Sequence, residues 1–325
     1  MNTVPLINTM LLLFGMLAIG FLAGKIRLMT EEMNRQLSSF LVSVTSPLQI
    51  LGSVLSGSFP MSNREVLLLT LLTLPLYAVL IGLSFLIPKI FRVKPSSSAV
   101  LRFLFIFSNI GYLGYPLVES MYGVAETFYV TVFVLAFQFV CWTYGVYLLA
   151  SGAEDAADAE KPDSAAGASA KSGGQISWRL FLSPCIIAAV AAYILYFLRV
   201  PCPALLYKII YQAGAVTSPL AMTILGCSLA YMKAGEVFGR WQIYILAAVR
   251  MLVLPVLFFL VLRTFIRNET MLRITTLILC MPSGTNATLM SYRYGADAKL
   301  GSAGVFITTL LSAGSIPLMM SILFR

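Results

Sequence analysis

The chain has 325 residues, of which 59% are hydrophobic and 11% are charged, and its formal net charge is +9. Soluble domains carry roughly 25% charged residues, so the composition excludes an ordinary soluble protein and indicates an integral membrane protein. Basic residues cluster in the loops, which explains the positive charge without a nucleic-acid partner. Histidine is absent and the five cysteines are scattered, so we expect neither a metal site nor a disulfide framework.

Long apolar segments follow one another along the chain. A membrane-spanning helix needs about 20 mostly apolar residues. The first segment lacks the basic start and the cleavage site of a signal peptide, so we expect it to be a helix of the mature protein. The sequence therefore predicts an all-α integral membrane fold with ten transmembrane helices, at 5–24, 34–56, 65–88, 98–122, 126–150, 178–198, 204–231, 241–262, 273–292 and 301–323.

Parts of the first half recur in the second half. VTSPL occurs at 44–48 and again at 216–220, an offset of 172 residues. The same offset links Tyr-Gly at 122–123 to Tyr-Gly at 294–295, and Arg27 to Arg199. We therefore predict two five-helix repeats, 1–150 and 176–325. Because five is odd, the second repeat enters the membrane in the opposite orientation, which is typical of secondary transporters.

The charges of the loops predict the orientation in the cytoplasmic (inner) membrane. Residues 151–175 are rich in Ala, Ser, Gly and acidic residues, which is typical of a flexible linker. Lys and Arg are about twice as frequent in the loops on the linker side as on the opposite side, and the richer side faces the cytoplasm. The linker is then cytoplasmic and both termini lie outside.

The fourth and ninth segments carry helix-breaking residues at corresponding places. They read SNIGYLGYPLVESMYG (108–123) and CMPSGTNATLMSYRYG (280–295). Gly and Pro disfavour a continuous helix, so we predict that helices 4 and 9 are broken and cross. Paired interruptions of this kind point to a transporter's binding site, although Gly and Pro also occur in merely kinked helices. The candidate binding residues here are Asn109, Gly111, Gly114, Pro116, Pro282, Ser283, Gly284 and Asn286.

Polar residues in neighbouring helices add further candidates. Pro47 and Pro219, in the two VTSPL copies, are predicted to kink helices 2 and 7. Thr45 and Ser46 would then face the crossing, or else bond to their own helix backbone. Gln138 in the fifth segment either lines the site or is satisfied by packing.

Two charged residues lie within apolar segments. Arg250 falls near the middle of the eighth segment, where a buried arginine is costly and usually functional. It could attract a carboxylate, pair with Glu119 or hold backbone carbonyls; if the helix begins later, it extends to the membrane surface instead. Glu119 borders the fourth-helix break and is a candidate proton site.

The two broken segments resemble the crossing motifs of the auxin efflux carrier family, which includes bacterial members and the plant PIN-formed transporters. The stretch around Arg250 also resembles the family's eighth helix, and the likeness extends over essentially the whole chain. In the fourth segment the matching residues are Asn109, Gly114, Pro116, Leu117, Tyr122 and Gly123. In the C-terminal part they are Met281, Pro282, Ser283, Asn286, Tyr294, Gly295, Asp297, Thr308, Thr309, Ser312 and Pro317.

The resemblance implies a mechanism. Helices 1, 2, 6 and 7 would form a scaffold that dimerises, and helices 3–5 and 8–10 a transport domain that moves like an elevator. The substrate would be a small organic anion, such as an auxin-like carboxylate or a dicarboxylate. Plant members tend to carry Lys where this chain has Glu119, so an anion site built around that lysine is not expected here.

We therefore predict a transporter of a small organic anion, not an enzyme, since no nucleophile–base set or phosphate loop occurs. The transport would be secondary active or facilitative. No cofactor is expected, and H⁺ or Na⁺ is the coupling ion where transport is coupled. The expected partners are the anion, membrane lipid and a second copy of the chain. The alternatives are a sodium-coupled symporter of the bile-acid type and, further away, a channel or a sensor.

Overall fold

The computed structural model describes residues 4–56, 60–159 and 183–324, which form helices joined by turns. The first half contains α1 (Val4–Lys25), α2 (Glu31–Phe40), α3 (Ser46–Gly52), α4 (Asn63–Ser84), α5 (Ile87–Phe91), α6 (Pro95–Ile106), α7 (Tyr115–Tyr122), α8 (Thr127–Val140) and α9 (Val146–Ala159). Short π-helical turns at Leu41–Thr45, Ile110–Gly114 and Cys141–Gly145 lead into α3, α7 and α9, respectively.

The second half continues with α10 (Pro184–Leu198), α11 (Ala204–Ala215), α12 (Thr217–Ala230), α13 (Ala234–Phe238), α14 (Trp241–Ala248), α15 (Leu254–Phe265), α16 (Glu269–Leu279), α17 (Asn286–Tyr294) and α18 (Ala298–Leu323). A π-helical turn, Val249–Val253, joins α14 to α15. Helices thus lie within all ten segments predicted from the sequence. Helix α9 reaches Ala159, into the segment predicted as a linker, and residues 160–175 of that segment lie outside the described ranges.

Six helical stretches of the described residues are long and apolar enough to cross a membrane. Helix α10 and most of α6 are apolar but shorter. The six stretches are Ile7–Lys25, Asn63–Phe91, Thr127–Gly152, Ala204–Ala230, Trp241–Phe265 and Ala298–Leu323.

Capping side chains determine where several helices begin. Ser62 accepts a hydrogen bond from the backbone N–H of Glu65, and the Glu65 carboxylate accepts one from the backbone N–H of Ser62, so α4 starts with a reciprocal capping box. Asn268 caps α16 by accepting a hydrogen bond from the Met271 N–H, and its amide nitrogen donates to Glu65 Oε1 at 2.7 Å. The beginnings of α4 and α16 are therefore joined.

The helices pack in two groups. In the first group α12 packs against α1 and α2, and α3 packs against α10 and α11. The second group joins α6 to α9 and α18, α4 to α8, and α17 to α18. In the first group glycine permits direct contact between backbones: a Cβ at Gly20 would lie 2.0 Å from the Thr223 carbonyl oxygen, and one at Gly226 would lie 1.9 Å from that of Leu17. Side chains cannot be accommodated at this contact between α1 and α12.

Some positions that recur in the sequence also share a positive φ angle. Arg27 and Arg199 both end helices in the left-handed region, with φ of 60° and 49°. Gly123 and Gly295, the second residues of the two Tyr-Gly pairs, both have positive φ, 107° and 74°, but their ψ angles differ, at 169° and 16°. Left-handed backbone is rare for residues other than glycine; among the described non-glycine residues it occurs at these two arginines and at Arg92, which has no counterpart at the 172-residue offset.

Candidate functional site

The two broken helices meet at a backbone crossing. The chain between α6 and α7 runs antiparallel to the chain between α16 and α17, and Ser108 forms a β-bridge with Ser283. The Asn109 N–H donates to the Pro282 carbonyl at 2.8 Å, and the Gly284 N–H donates to the Phe107 carbonyl at 2.8 Å. A break frees backbone groups that hydrocarbon cannot satisfy, and here each break partly satisfies the other.

Ser283 holds this crossing together from within. Its hydroxyl donates to the Leu104 carbonyl at 2.7 Å, its N–H donates to Thr308 Oγ1 at 3.1 Å, and its side chain is fully buried. Neither Ser283 nor Pro282 lines a cavity at the crossing. These two predicted binding residues therefore contribute hydrogen bonds to the framework.

The fourth-helix break is shorter than the pattern of Gly and Pro predicts. Gly111 and Gly114 lie in the π-helical turn, and Pro116 lies in the first turn of α7. Proline is tolerated in a first turn because that N–H has no partner within the helix. The non-helical stretch is therefore 107–109, and a helix runs from 110 to 122.

A small cavity lies at the crossing, between the two groups of helices. Of the predicted binding residues, its walls contain Ser46, Asn109, Gly111, Gln138, Gly284 and Asn286. The remaining walls are Gln49, Ile50, Ser108, Tyr112, Tyr115, Val134, Phe137 and Thr285. The polar groups of this lining are amides and hydroxyls, and none of its residues is charged.

Asn109 is the most unusual residue of this cavity. It is only 1% exposed, and neither Nδ2 nor Oδ1 has a hydrogen-bond partner among the described residues. A buried polar group without a partner costs about 1–3 kcal/mol. This amide is therefore free to bond to a ligand or to water.

The other two amides predicted to bind substrate, those of Asn286 and Gln138, each accept a hydrogen bond from an aromatic side chain. The Tyr112 hydroxyl donates to Asn286 Oδ1 at 3.2 Å, and Trp142 Nε1 donates to Gln138 Oε1 at 2.9 Å. Tyr112 and Trp142 are not among the residues predicted from the sequence, because aromatic residues in apolar helices usually indicate core packing. Their polar atoms were the signal that could have singled them out, since buried Tyr and Trp usually find a partner.

A larger cavity of about 870 Å³ continues from the crossing, and Tyr112, Gln138 and Asn286 line both cavities. It extends to the beginning of α2, where Glu31 and Arg35 lie in its wall. The α2, α10 and α12 helices of the first group form one side, and residues of the second group form the other. The site is thus open toward the loop between α1 and α2.

The prolines of the two VTSPL copies lie beside interruptions of their helices. Pro47 follows the π-helical turn Leu41–Thr45, and Pro219 lies in the first turn of α12, just after α11 ends. Thr45 bonds to the Leu41 carbonyl at 3.2 Å and does not line the small cavity, whereas Ser46 does. Of this predicted pair, only Ser46 faces the crossing.

Arg250 is buried and lines neither of these cavities, although it lines a third, small cavity together with Ser108 and Ile110. Its Nη1 donates to the Phe105 carbonyl at 2.5 Å, in the last turn of α6. The sequence left three partners open for Arg250: a carboxylate ligand, Glu119 or a backbone carbonyl. The structure shows the backbone carbonyl. A cation at the C-terminal end of a helix offsets the partial negative charge there. Arg250 therefore stabilises the end of α6, which leads into the crossing.

Arg250→Met is therefore expected to lower the stability of the ligand-free protein, by about 1.5–3 kcal/mol for a hydrogen bond to a charged group. Ligand-induced stabilisation should persist, because Arg250 does not line the site. Thermal unfolding with and without ligand measures both, and Arg250→Lys should restore part of the loss. Normal stability with no response to ligand would instead assign Arg250 to the substrate.

Glu119 pairs with a helix of the other group. The Tyr211 hydroxyl of α11 donates to Glu119 Oε1, at the end of α7 that lies away from the crossing. Glu119 is half-buried and does not contact Arg250 in any ion pair of the described residues. The predicted pairing of these two charges is therefore not formed.

Comparison with known proteins agrees with this architecture. A family model described as a membrane transport protein matches residues 5–320, which include both broken helices. Among curated proteins no match was found. The matching family consists of transporters, not enzymes. The chain therefore belongs to this membrane transport family, that of the auxin efflux carriers, and is a multi-pass membrane protein.

Proposed function

We propose that the protein carries a small organic anion across the cytoplasmic membrane, and that the anion binds at the crossing. The observation that carries this proposal is the meeting of two helix beginnings at one uncharged cavity. The helix at 110–122 follows Asn109, and α17 begins at Asn286. Helix N-termini favour anions, and the unpaired Asn109 amide adds a donor beside them.

An elevator-type alternating access is part of the proposal. The packing of α1, α2, α3, α10, α11 and α12 into one group supports a scaffold, and the remaining helices support a transport domain. The left-handed backbone shared by Arg27 and Arg199 supports ten spans arranged as an inverted repeat. Dimerisation through the scaffold, with lipid around it, completes this arrangement.

The larger cavity supports a state that is open to one side. It reaches the loop between α1 and α2, which the distribution of basic residues assigns to the cytoplasm. With both termini outside, the cavity would admit substrate from the cytoplasm. The Tyr211–Glu119 bond lies on the opposite side and would help to close it.

Thermal stability with a panel of ligands tests the proposal. Carboxylates, amino acids and neutral analogues would be added to the purified protein, each with and without sodium. A ligand that binds only the folded state raises apparent stability by mass action, so at least one carboxylate should stabilise the protein and then show saturable flux in proteoliposomes. Stabilisation by sodium or cations alone would contradict anion binding and favour a sodium-coupled symporter.

Coupling to protons is a further hypothesis, with Glu119 as the carrier because it is a half-buried carboxylate within the fourth apolar segment. Flux through Glu119→Gln at several pH values tests it. A pH dependence that matches the wild-type protein would remove Glu119 from the mechanism.

Tyr211→Phe is expected to favour the state that is open on the Glu119 side, because it removes a hydrogen bond between scaffold and transport domain. The rate at which an impermeant thiol reagent labels Ile50→Cys from that side, in a background without other cysteines, measures the shift. Ile50 is buried in the small cavity. We expect labelling to be several-fold faster, about fivefold for a net hydrogen bond of about 1 kcal/mol.

Tyr207→Phe is the matched control. Tyr207 lies one turn earlier on α11 and packs against the Tyr211 ring, and its hydroxyl makes no hydrogen bond within the described residues. Its labelling rate should equal that of the parent protein. Equal rates in both variants would show that the Tyr211 hydroxyl does not hold this side closed.

A further inference from the structure

The two amides that line both cavities are held in a defined orientation. Gln138 Oε1 accepts from Trp142 Nε1, and Asn286 Oδ1 accepts from the Tyr112 hydroxyl. An indole N–H can only donate, so it determines which end of the Gln138 amide is oxygen. In both residues the amide oxygen is therefore turned toward its aromatic donor.

The nitrogen ends of these amides remain for a ligand. Neither Gln138 Nε2 nor Asn286 Nδ2 donates a hydrogen bond to an oxygen or nitrogen atom of another described residue. Sulfur atoms of Cys185 and Cys141 lie beside the Gln138 and Asn286 amides, respectively, and sulfur is a weak acceptor. The N–H groups of the Gln138 and Asn286 amides are therefore available to a ligand in the cavity.

We propose that Trp142 and Tyr112 are positioning residues that make this uncharged site select carboxylates. The inference rests on the proposed anion transport and explains how it could be specific. An ionised carboxylate only accepts hydrogen bonds, whereas a primary amide also carries an NH₂ donor. With both protein oxygens turned toward the aromatic donors, a ligand NH₂ would face protein N–H groups, and buried polar groups left unpaired reduce affinity.

Trp142→Phe and Tyr112→Phe test the inference because each removes the hydrogen bond that orients one amide and keeps an aromatic ring. The probes are two isosteric pairs, phenylacetate with phenylacetamide and succinate with succinamide, and the measurement is the affinity ratio within a pair that binds. In the wild-type protein the carboxylate should bind more tightly. We expect each variant to reduce this preference about tenfold, since the freed amide can turn and accept from a ligand NH₂.

Tyr115→Phe is the matched control, because Tyr115 lines the same small cavity but its hydroxyl pairs with Thr131. Its affinity ratio should not change. Gln138→Glu is a second test that does not alter an aromatic residue. The carboxylate of this variant can still accept from Trp142 but offers no donor, so binding of the probe carboxylate should be lost while binding of the amide remains.

The outcomes separate this inference from the proposed function. If no carboxylate binds the wild-type protein, anion transport itself is contradicted. If carboxylates bind and both Phe variants keep the wild-type ratio, or weaken both members of a pair equally, the positioning role is overturned and anion binding stands. A reduced ratio in both variants, with an unchanged ratio in Tyr115→Phe, supports the inference.

Discussion

Replacing both Asn109 and Asn286 by alanine is expected to abolish binding and transport of carboxylates while leaving a folded protein. Both amides line the crossing cavity, and hydrogen bonds to a charged group contribute about 1.5–3 kcal/mol each. Loss of two such bonds corresponds to a decrease in affinity on the order of 100-fold or more. Ligand-induced thermal stabilisation and flux in proteoliposomes measure the loss.

The single variants should differ in the absence of ligand. Asn109→Ala removes two buried polar atoms that lack partners, so the stability of the empty protein should be unchanged or higher. Asn286→Ala breaks the bond from Tyr112 and should cost about 1 kcal/mol. Asn63→Ala, at an exposed position in the first turn of α4, is the control. Wild-type stabilisation by carboxylates in the double variant would exclude these amides from the site.

Sequence patterns predict much of this site because they report local backbone behaviour. Gly and Pro mark where α16 ends and where the fourth segment is interrupted. Apolar segments long enough to cross a membrane mark the other helices. Asn109 and Asn286 follow from the same reasoning, since each lies directly beside a break. The lengths of the breaks do not follow, because a π-helical turn accommodates Gly111 and Gly114 that the pattern treats as breakers.

Contacts between distant segments cannot be predicted in this manner. Arg250 and the Phe105 carbonyl are 145 positions apart, and Tyr211 is 92 positions from Glu119. Which partner a buried polar group finds depends on how the helices pack, not on the residues around it. Ser283 illustrates the consequence: its position in the break suggested a ligand contact, yet packing directs its hydroxyl to a backbone carbonyl.

A single methyl group at Gly20 is expected to prevent the scaffold from assembling. Its Cβ would lie 2.0 Å from the Thr223 carbonyl oxygen, which belongs to backbone and cannot turn aside, so α1 and α12 would have to separate. Overpacking typically costs about 1–3 kcal/mol and more where backbone must move. Gly20→Ala should therefore strongly reduce the yield and thermal stability of purified protein.

Gly15→Ala, on the same helix, provides the comparison. No atom lies within 4 Å of a Cβ at Gly15, so the change should be neutral or should stabilise α1 by up to about 1 kcal/mol through helix propensity. Equal stability of the two variants would show that α1 and α12 can move apart freely. Loss of folding in Gly20→Ala alone would show that they form one rigid unit. An elevator needs such a unit, because the transport domain can carry substrate only relative to a partner that stays fixed.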